Sequence, residues 1–277
     1  MDQNITAAAR TLEVATAVVV TAGAGMSVDS GLPDFRGNEG FWKAYPPFRK
    51  LGLAFEDLAN PQWFEKDPAL AWGFYGHRLN LYRATKPHVG YSLLLRRISA
   101  APHGGFVFTS NVDGAFVKAG LDPDRIVECH GSIHHAQCTR GCVGIVKMTE
   151  GDVTVDPDTF MATGPLPRCR CGGLLRPNIL MFFDVGWSHK RTGDQEERFS
   201  NWLSETSRKF ARVAVVEIGA GKSIPTVRSR SEDLARKLNG ALIRINPTDP
   251  DGPPGTISIP MGGLAALHRI EEACRSL

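Results

Sequence analysis

The stretch Thr21-Ala-Gly-Ala-Gly-Met-Ser-Val-Asp-Ser-Gly-Leu-Pro-Asp-Phe-Arg-Gly37 decides the fold. It follows Ala17-Val-Val-Val20, a short β-branched run that predicts a buried parallel strand. A strand that leads directly into Gly23 and Gly25 brings bare backbone N–H groups to its carboxyl end, and Ser27 is placed to start the next helix. The stretch therefore predicts a phosphate cradle.

The two glycines alone do not establish a nucleotide site, because Gly-x-Gly after a strand is equally typical of a tight turn. A dehydrogenase of the usual dinucleotide-binding kind would continue into a helix and place an acid about 20 residues on. This chain instead continues with Pro33-Asp-Phe-Arg-Gly37, a rigid loop with an acid, an aromatic ring and a base. The loop sets the chain apart from ordinary dehydrogenases.

Composition indicates an ordinary globular protein: 277 residues, 42% of them apolar, can form one large domain and a smaller module. A net charge of +3 without a run of four basic residues does not favour nucleic acid as a partner. The N-terminus lacks the pattern of a secretory leader, and no 18-residue apolar run occurs. We therefore expect a cytoplasmic monomer without a membrane partner.

Four further apolar runs end in glycine or polar residues. They are Gly105–Thr109 before Ser110, Asn111 and Asp113; Arg125–Cys129 before His130; Arg212–Ile218 before Gly219; and Ala241–Ile245 before Asn246. Ligands of open parallel sheets bind outside the carboxyl ends of the strands. Together with the first strand, these runs predict a single shared site.

Four of the six cysteines form two close pairs, Cys138-x3-Cys142 and Cys169-x-Cys171, separated by 26 residues. Two thiolate pairs suit a closed tetrahedral zinc site, which is structural. Zinc would supply on the order of 10 kcal/mol of folding energy to an insertion with little core of its own. The alternative is four chance thiols, and we interpret Cys129 and Cys274 as free thiols.

The segment from Gly23 to Gly37 resembles the signature loop of the sirtuins, which are NAD-dependent protein-lysine deacylases. The likeness extends over nearly the whole chain, through Asn111-x-Asp113, His130-Gly131, the four cysteines, Leu175-Arg-Pro177, the turn at Gly219 and Ile245-Asn246. It implies an α/β fold: a Rossmann-like parallel sheet with a second, smaller domain made of a helical insertion and a zinc ribbon. The large NAD-binding domain would comprise residues 1–40, 98–134 and 180–277, and the small domain residues 41–97 and 135–179.

The resemblance also implies roles for individual residues. His130 would be the general base acting on the NAD ribose, as an imidazole suits near neutrality; the alternative is a histidine satisfied in the core. Asn111 would position ribose and water, and Asp113 would hold the nicotinamide amide. Phe35 would shield the reactive face, and Arg36 would lie near the phosphates. The other implied cofactor contacts are Gly23, Ala24, Gly25, Ser27, Asp34, Ser110, Gly219, Ala220, Gly221 and Asn246.

Three departures from the family pattern concern ligand contacts. Ser110 stands where the family usually has Gln, which shortens a ribose contact. Gly219-Ala-Gly221 replaces Gly-Thr-Ser, so phosphate binding would depend on N–H groups and the nearby charge of Lys222. Phe182-Phe-Asp184 replaces Phe-Gly-Glu in the segment that pairs with a substrate peptide, where Phe183 would narrow the cleft.

Tyr75 and Arg78 bear on which acyl group is removed. On a helix they share a face, so that a hydroxyl and a guanidinium converge. Sirtuins that remove acidic acyl groups such as succinyl carry a similar Tyr-x-x-Arg pair in the acyl pocket. The alternative is that Tyr75 packs in the helical module and Arg78 lies in solvent.

Three functions are compatible with these observations. The first is an NAD-dependent protein-lysine deacylase with NAD and zinc as cofactors and an acyl-lysine protein or peptide as substrate. The second is an NAD glycohydrolase or ADP-ribosyltransferase on the same fold, and the third is a catalytically silent NAD-sensing or zinc-dependent interaction module. The intact Asn111, Asp113 and His130 argue against the third.

Overall fold

The structure is a computed structural model that describes residues 2–33, 45–46, 49, 52–142, 144–149, 151 and 153–277. Three predicted cofactor contacts, Asp34, Phe35 and Arg36, lie outside the described residues. The interpretation of the signature loop is therefore tested only up to Pro33.

The described residues form helices and strands in the following order. The helices are α1 (Asp2–Val14), α2 (Gly25–Val28), α3 (Phe55–Leu58), α4 (Trp63–Lys66), α5 (Pro68–Ala84), α6 (Val89–Ala100), α7 (Ala115–Lys118), α8 (Lys190–Arg208), α9 (Thr226–Lys237) and α10 (Gly263–Arg275). The strands are β1 (Ala17–Ala22), β2 (Gly105–Thr109), β3 (Ile126–Glu128), β4 (Gly131–Cys138), β5 (Val146–Lys147), β6 (Thr154–Val155), β7 (Ala162–Thr163), β8 (Leu175–Ile179), β9 (Val213–Ile218), β10 (Ala241–Ile245) and β11 (Ile257–Ile259).

A six-stranded sheet of order β11-β10-β9-β1-β2-β3 forms the large part of the molecule. Every pairing in it is parallel. The strand order reverses beside β1, which is the topological switch point where such sheets bind ligands. The predicted Rossmann-like parallel sheet is confirmed, and β11 is an additional short strand.

Helices cover both faces of this sheet, which explains why β1 is apolar except at Thr21. Val18 and Val20 belong to the buried cluster that includes side chains of α1, α6 and α10. Ala17 and Val19 belong to a second cluster with side chains of α8 and α9. Successive side chains of a strand point to opposite faces, so a strand covered on both sides is mostly apolar, and its polar side chains need buried partners, as Thr21 Oγ1 has in Ser231 Oγ at 2.8 Å.

A third buried cluster lies outside the large sheet and contains most of the aromatic side chains between Tyr45 and Tyr82. Its main helix, α5, runs for 17 residues. Asp67 caps its first turn by accepting from the N–H of Leu70, and Pro68 opens the helix, a favourable start. An antiparallel sheet of order β5-β4-β8 and the hairpin β6-β7 complete this part. The helical insertion and ribbon are confirmed, whereas the predicted domain limits stay a prediction.

No described helix has both the length and the apolar character needed to cross a bilayer.

The loops after β1 and β9 touch backbone to backbone. A Cβ atom built on Gly25 would lie 2.7 Å from Gly219 Cα, and one built on Gly219 would lie 2.5 Å from Gly25 Cα. Gly219 also has a φ of +62°, a conformation that L side chains rarely adopt. The two loops can meet at the switch point only because neither residue carries a side chain.

Gly219→Ala should therefore lower the free energy of unfolding by about 2 to 5 kcal/mol, because left-handed strain and overpacking add. Gly104→Ala is the matched control, since Gly104 has nearly the same φ, +63°, with no atom within 4 Å of its built Cβ. The control should lose only about 1 to 2 kcal/mol. Urea denaturation of both variants measures the difference, and equal losses would contradict the close approach.

Candidate active site

Asn111 lies on the loop that follows β2, beside the first glycine of the β1 loop. Its Nδ2 donates to Gly23 O at 3.0 Å and to Ser27 Oγ at 3.2 Å. Its backbone N–H donates to Thr109 Oγ1 at 3.0 Å. The amide nitrogen is thus used to fix the loop, and the side-chain oxygen is the group left to contact a ligand.

Asp113 is buried beneath the same loop with both carboxylate oxygens engaged. Ser27 Oγ donates to Asp113 Oδ2 at 2.6 Å, and the N–H of Ala115 donates to Oδ1 at 2.9 Å. Ser27 lies inside α2 rather than at its start, where Ala24 holds the capping position without a side-chain hydrogen bond. The expectation that Ser27 begins the helix is therefore wrong, and its hydroxyl instead orients an acid of the site.

The glycine loop differs in detail from the predicted cradle. The N–H of Gly23 donates to Ile218 O at 3.0 Å and that of Gly25 to Gly219 O at 3.1 Å. These two N–H groups are therefore not bare, because each satisfies a carbonyl at the end of β9. The two glycines shape the site by allowing close contact, and their contact with a cofactor stays a prediction.

His130 follows β3 at the same edge of the sheet, half-buried. Its carbonyl accepts from the N–H of Leu180 at 3.0 Å, which joins it to the segment after β8. Burial lowers the pKa of its imidazole, so the ring is neutral near pH 7 and can accept a proton. Burial raises the pKa of the neighbouring Cys129 thiol to about 12, which leaves that sulfur unreactive.

His134 and Tyr91 support Asp113 and were not identified from the sequence. His134 Nε2 donates to Asp113 O at 2.8 Å, and Tyr91 OH lies 3.0 Å from Ser27 Oγ. His134 stands four residues after His130, two strand repeats along, and this spacing was an available signal. No local pattern identifies Tyr91, because it reaches Ser27 from α6.

Two loops meet at the ends of β9 and β10. Asn246 Nδ2 donates to Ala220 O at 2.8 Å, while its Oδ1 accepts from the N–H groups of Thr248 at 3.0 Å and Asp249 at 2.9 Å. Its side chain thus joins the 246–249 loop to the turn Gly219-Ala-Gly221. Lys222 Nζ pairs with Asp249 Oδ1 at 3.0 Å and Asp251 Oδ1 at 3.2 Å. Lys222, whose charge was expected near the phosphates, is thus already paired with two carboxylates, and its contact with phosphate stays a prediction.

Tyr75 and Arg78 are both buried on α5, only 1% and 6% exposed. The alternative that places Arg78 in solvent is wrong. Arg78 donates to Tyr82 OH from Nε at 3.2 Å and from Nη2 at 2.9 Å, and its Cζ lies 5.9 Å from the Tyr75 ring centroid. The Tyr75 hydroxyl is buried without a hydrogen-bond partner among the described residues. Burial raises its pKa to about 12, so the hydroxyl keeps its proton.

The segment after β8 carries Phe182 and Phe183. Phe182 lies partly buried, and its N–H donates to Ala59 O at 2.8 Å. Phe183 has a φ of +57° and is 87% exposed, so its ring projects into solvent. Asp184 is buried under the segment and pairs with Arg176, whose Nη1 lies 3.0 Å from Asp184 Oδ1. The segment is held from below while Phe183 is presented outwards.

The four predicted metal ligands come together at the end of β4. Their Sγ atoms lie within 4.8 Å of one another, with the closest pair, Cys142 and Cys171, 3.0 Å apart. Sulfurs of a tetrahedral zinc site with bonds of about 2.3 Å lie about 3.8 Å apart. The N–H of Arg140 donates to Cys138 Sγ at 3.4 Å and that of Gly173 to Cys171 Sγ at 3.4 Å, bonds that favour thiolate ligands. The donor set, Cys138, Cys142, Cys169 and Cys171, therefore fits zinc.

Comparison with known proteins identifies the family. Residues 23–193 match the model of the Sir2 family. An NAD-dependent protein deacylase of Aeropyrum pernix is 32% identical over 270 residues, which cover 97% of this chain and 96% of the relative. This chain belongs to the Sir2 family. Its sirtuin relatives also include the mitochondrial NAD-dependent protein deacylase sirtuin-5 of Canis lupus familiaris, 33% identical over 181 residues, 60% of this chain and 55% of that protein.

The solved structures give the same family. A crystal structure of a Sir2 homologue in complex with NAD superposes with a TM-score of 0.66 and 26% identity, covering 97% of this chain and 93% of that one. The NAD of that complex and the four converging cysteines here agree with the predicted cofactors, NAD and zinc.

We expect this sirtuin to contain one zinc ion per chain, measurable by elemental analysis of the folded protein. Cys171→Ser should lower the zinc content well below one, because a closed site needs all four sulfurs. Cys274→Ser is the control and should keep the metal, since Cys274 lies on α10, outside the cluster. Chelation should unfold the ribbon before the large sheet. Folded protein without metal would contradict the assignment.

Proposed function

We propose that this sirtuin is an NAD-dependent protein-lysine deacylase, which transfers the acyl group of an acyl-lysine to ADP-ribose and releases nicotinamide. The observation that carries the proposal is the convergence of Asn111, Asp113 and His130 at the carboxyl ends of β2 and β3, next to the switch point. The relatives from Aeropyrum pernix and Aquifex aeolicus, both NAD-dependent protein deacylases, support it. The monomeric state and the cytoplasmic compartment stay predictions from the sequence.

Each of the three residues has a role that its surroundings allow. Bound NAD supplies a ribose carbon that becomes electrophilic as nicotinamide leaves, and the acyl oxygen attacks it. His130, neutral through burial, accepts a proton from a ribose hydroxyl. Asn111 directs its free side-chain oxygen to ribose or water, and Asp113, held by Ser27 and Ala115, orients the nicotinamide amide. The protein thus contributes orientation rather than a covalent nucleophile.

A glycohydrolase or ADP-ribosyltransferase would need the same NAD site but no acyl-lysine pocket. The buried Tyr75 hydroxyl and Arg78 favour a pocket for an acyl group, and therefore the deacylase. A silent module would not need a neutral histidine beside an oriented amide and acid.

The proposal predicts that wild-type protein, NAD and an acyl-lysine peptide yield acyl-ADP-ribose, detected by mass spectrometry. His130→Ala should lower its formation at least about 100-fold, the low end for a positioned general base, while NAD still binds. Free ADP-ribose without loss of the acyl group would identify a hydrolase instead. Turnover at the wild-type level in His130→Ala would contradict the assigned base.

We further propose that the acyl group is acidic, as in succinyl-lysine. Arg78 is a buried cation, and the Tyr75 hydroxyl beside it is a buried donor without a partner among the described residues, so one carboxylate could accept from both. Tyr75 belongs to the same buried cluster as Val112, which separates Asn111 from Asp113. Tyr82, which accepts from Arg78, also lines a small cavity with Asp113. These contacts support placing the proposed acyl pocket next to the loop that carries Asn111 and Asp113.

Arg78→Met should lower kcat/KM on a succinyl-lysine peptide by roughly 10- to 100-fold and spare acetyl-lysine, because it removes charge-assisted bonds worth about 1.5 to 3 kcal/mol. Steady-state kinetics with the two peptides measure how far kcat/KM falls on each.

Tyr75→Phe separates this role from packing. It should also lower activity on succinyl-lysine, yet it should leave the free energy of unfolding unchanged or raise it, because the lost hydroxyl has no partner in the described protein. Equal losses on both peptides, or a parent enzyme inactive on succinyl-lysine, would show that the pair has no part in acyl selection.

A further inference from the structure

A buried ion-pair network lies beneath the loops that end β9 and β10, and the proposed chemistry does not use it. Glu217 and Arg244 are neighbours on the two strands, each 0% exposed by side chain. Arg244 Nε donates to Glu217 Oε1 at 2.7 Å and its Nη2 to Oε2 at 2.8 Å, a two-pronged pair. Nη2 also donates to Glu232 Oε1 on α9 at 2.8 Å.

The remaining donors of this network go to backbone carbonyls of one loop. Arg244 Nη1 donates to Asp251 O at 2.6 Å. Arg228, on α9, donates to Asp249 O at 2.8 Å and to Asp251 O at 2.7 Å. Two buried guanidiniums therefore hold the segment 246–252, which we call the β10 wall. From above, Lys222 binds the carboxylates of Asp249 and Asp251.

The strand order shows which end of NAD this wall would face. His130 and Asn111 follow β3 and β2, on one side of the switch point, and Gly219 and Asn246 follow β9 and β10, on the other. If the nicotinamide ribose lies beside His130, a dinucleotide that crosses the switch point places its adenosine over β9 and β10. The β10 wall is tied to the Gly219 turn through Asn246 Nδ2 and Ala220 O.

Stability alone does not explain a network of this kind. Removing charges from water is costly, and apolar side chains of similar size often stabilise a core equally well. A guanidinium differs from them in having several donors of fixed direction, which can hold carbonyls in one geometry. In this network the donors left after ion pairing are aimed at the loop carbonyls.

We propose that Arg244 and Arg228 are positioning residues for NAD, which fix the β10 wall as the boundary of the adenosine end of the site. The inference rests on the proposed use of NAD. In this proposal the two arginines raise the affinity for NAD by holding the backbone at Asp249 and Asp251. They do not act on the nicotinamide end, where the reaction takes place.

The test is calorimetric titration of NAD and ADP-ribose into the double variant Glu217→Leu/Arg244→Met, which removes both members of the fully buried pair at once. Glu232 loses Arg244 but is 37% exposed by side chain, and Arg228 loses Glu217 at 3.9 Å but keeps its bonds to the loop carbonyls. Kd for both ligands should rise by about 10-fold. KM for NAD should rise in step, while kcat at saturating NAD and KM for the acyl-lysine peptide should change less than about twofold. A folded double variant with wild-type Kd would overturn the proposal, as would equal effects on both substrates.

The matched control is Arg97→Met/Glu271→Leu, which removes an ion pair with an Nη2–Oε2 distance of 2.8 Å between α6 and α10. Its Kd should equal that of the wild type, and a comparable rise would overturn the proposal. If the first double variant does not fold, Arg228→Lys is the alternative, because it keeps the positive charge but removes the two-pronged donor geometry of the guanidinium. The Kd of this variant for NAD should rise at least about threefold, and an unchanged Kd would overturn the proposal.

Direct binding separates this inference from the proposed activity. Wild-type protein that binds NAD but transfers no acyl group would refute the deacylase and leave the Kd comparison decisive. Wild-type protein that does not bind NAD would overturn both.

Discussion

The close approach of the loops after β1 and β9 is the constraint on which the site depends. Gly25 and Gly219 lie backbone against backbone, and the N–H groups of Gly23 and Gly25 bond to carbonyls at the end of β9. This contact joins the loops after the two central strands, β1 and β9, and fixes where α2 begins. Ser27 is thereby brought under Asn111 and Asp113, so the geometry of the polar residues derives from an approach that only glycine permits.

The sequence predicted the large sheet because strands buried on both faces are mostly apolar, as β1 and β9 are apart from Thr21 and Glu217. It did not predict β11, since Ile257–Ile259 is too short to show a pattern and becomes a strand by pairing with β10. The sequence also predicted that the polar residues after the strands lie close together, because the carboxyl ends of parallel strands share one edge of the sheet. The partners of those residues could not be predicted: the Ser27 hydroxyl reaches Asp113 across 86 positions of sequence.

Buried charge recurs around the site. Arg78 is buried among the aromatic rings of α5, Arg176 lies under the segment that carries Phe183, and Arg244 lies under the β10 wall. The spacing of Tyr75 and Arg78 identified Arg78 as a candidate. It could not show whether Arg78 is buried or exposed, because residues three apart share a helix face whether that face is in the core or in solvent. The other two were invisible to it, since their partners Asp184 and Glu217 look like ordinary surface acids. Burial of a long charged side chain is decided by packing, which local sequence does not contain.

The chain between the two cysteine pairs connects the predicted zinc site to helix α5. The 26 residues between Cys142 and Cys169 contain the hairpin β6-β7, which packs on α5 where Gly73 and Gly76 leave room for it. A zinc ion joining those cysteines closes this loop at its base and reduces the entropy lost when the hairpin docks on the helix. Tyr75 lies between the two glycines on that helix. A bound ion far from the reacting groups would thus affect how firmly the proposed acyl pocket keeps its shape, and loss of zinc would disturb this helix before it disturbed the large sheet.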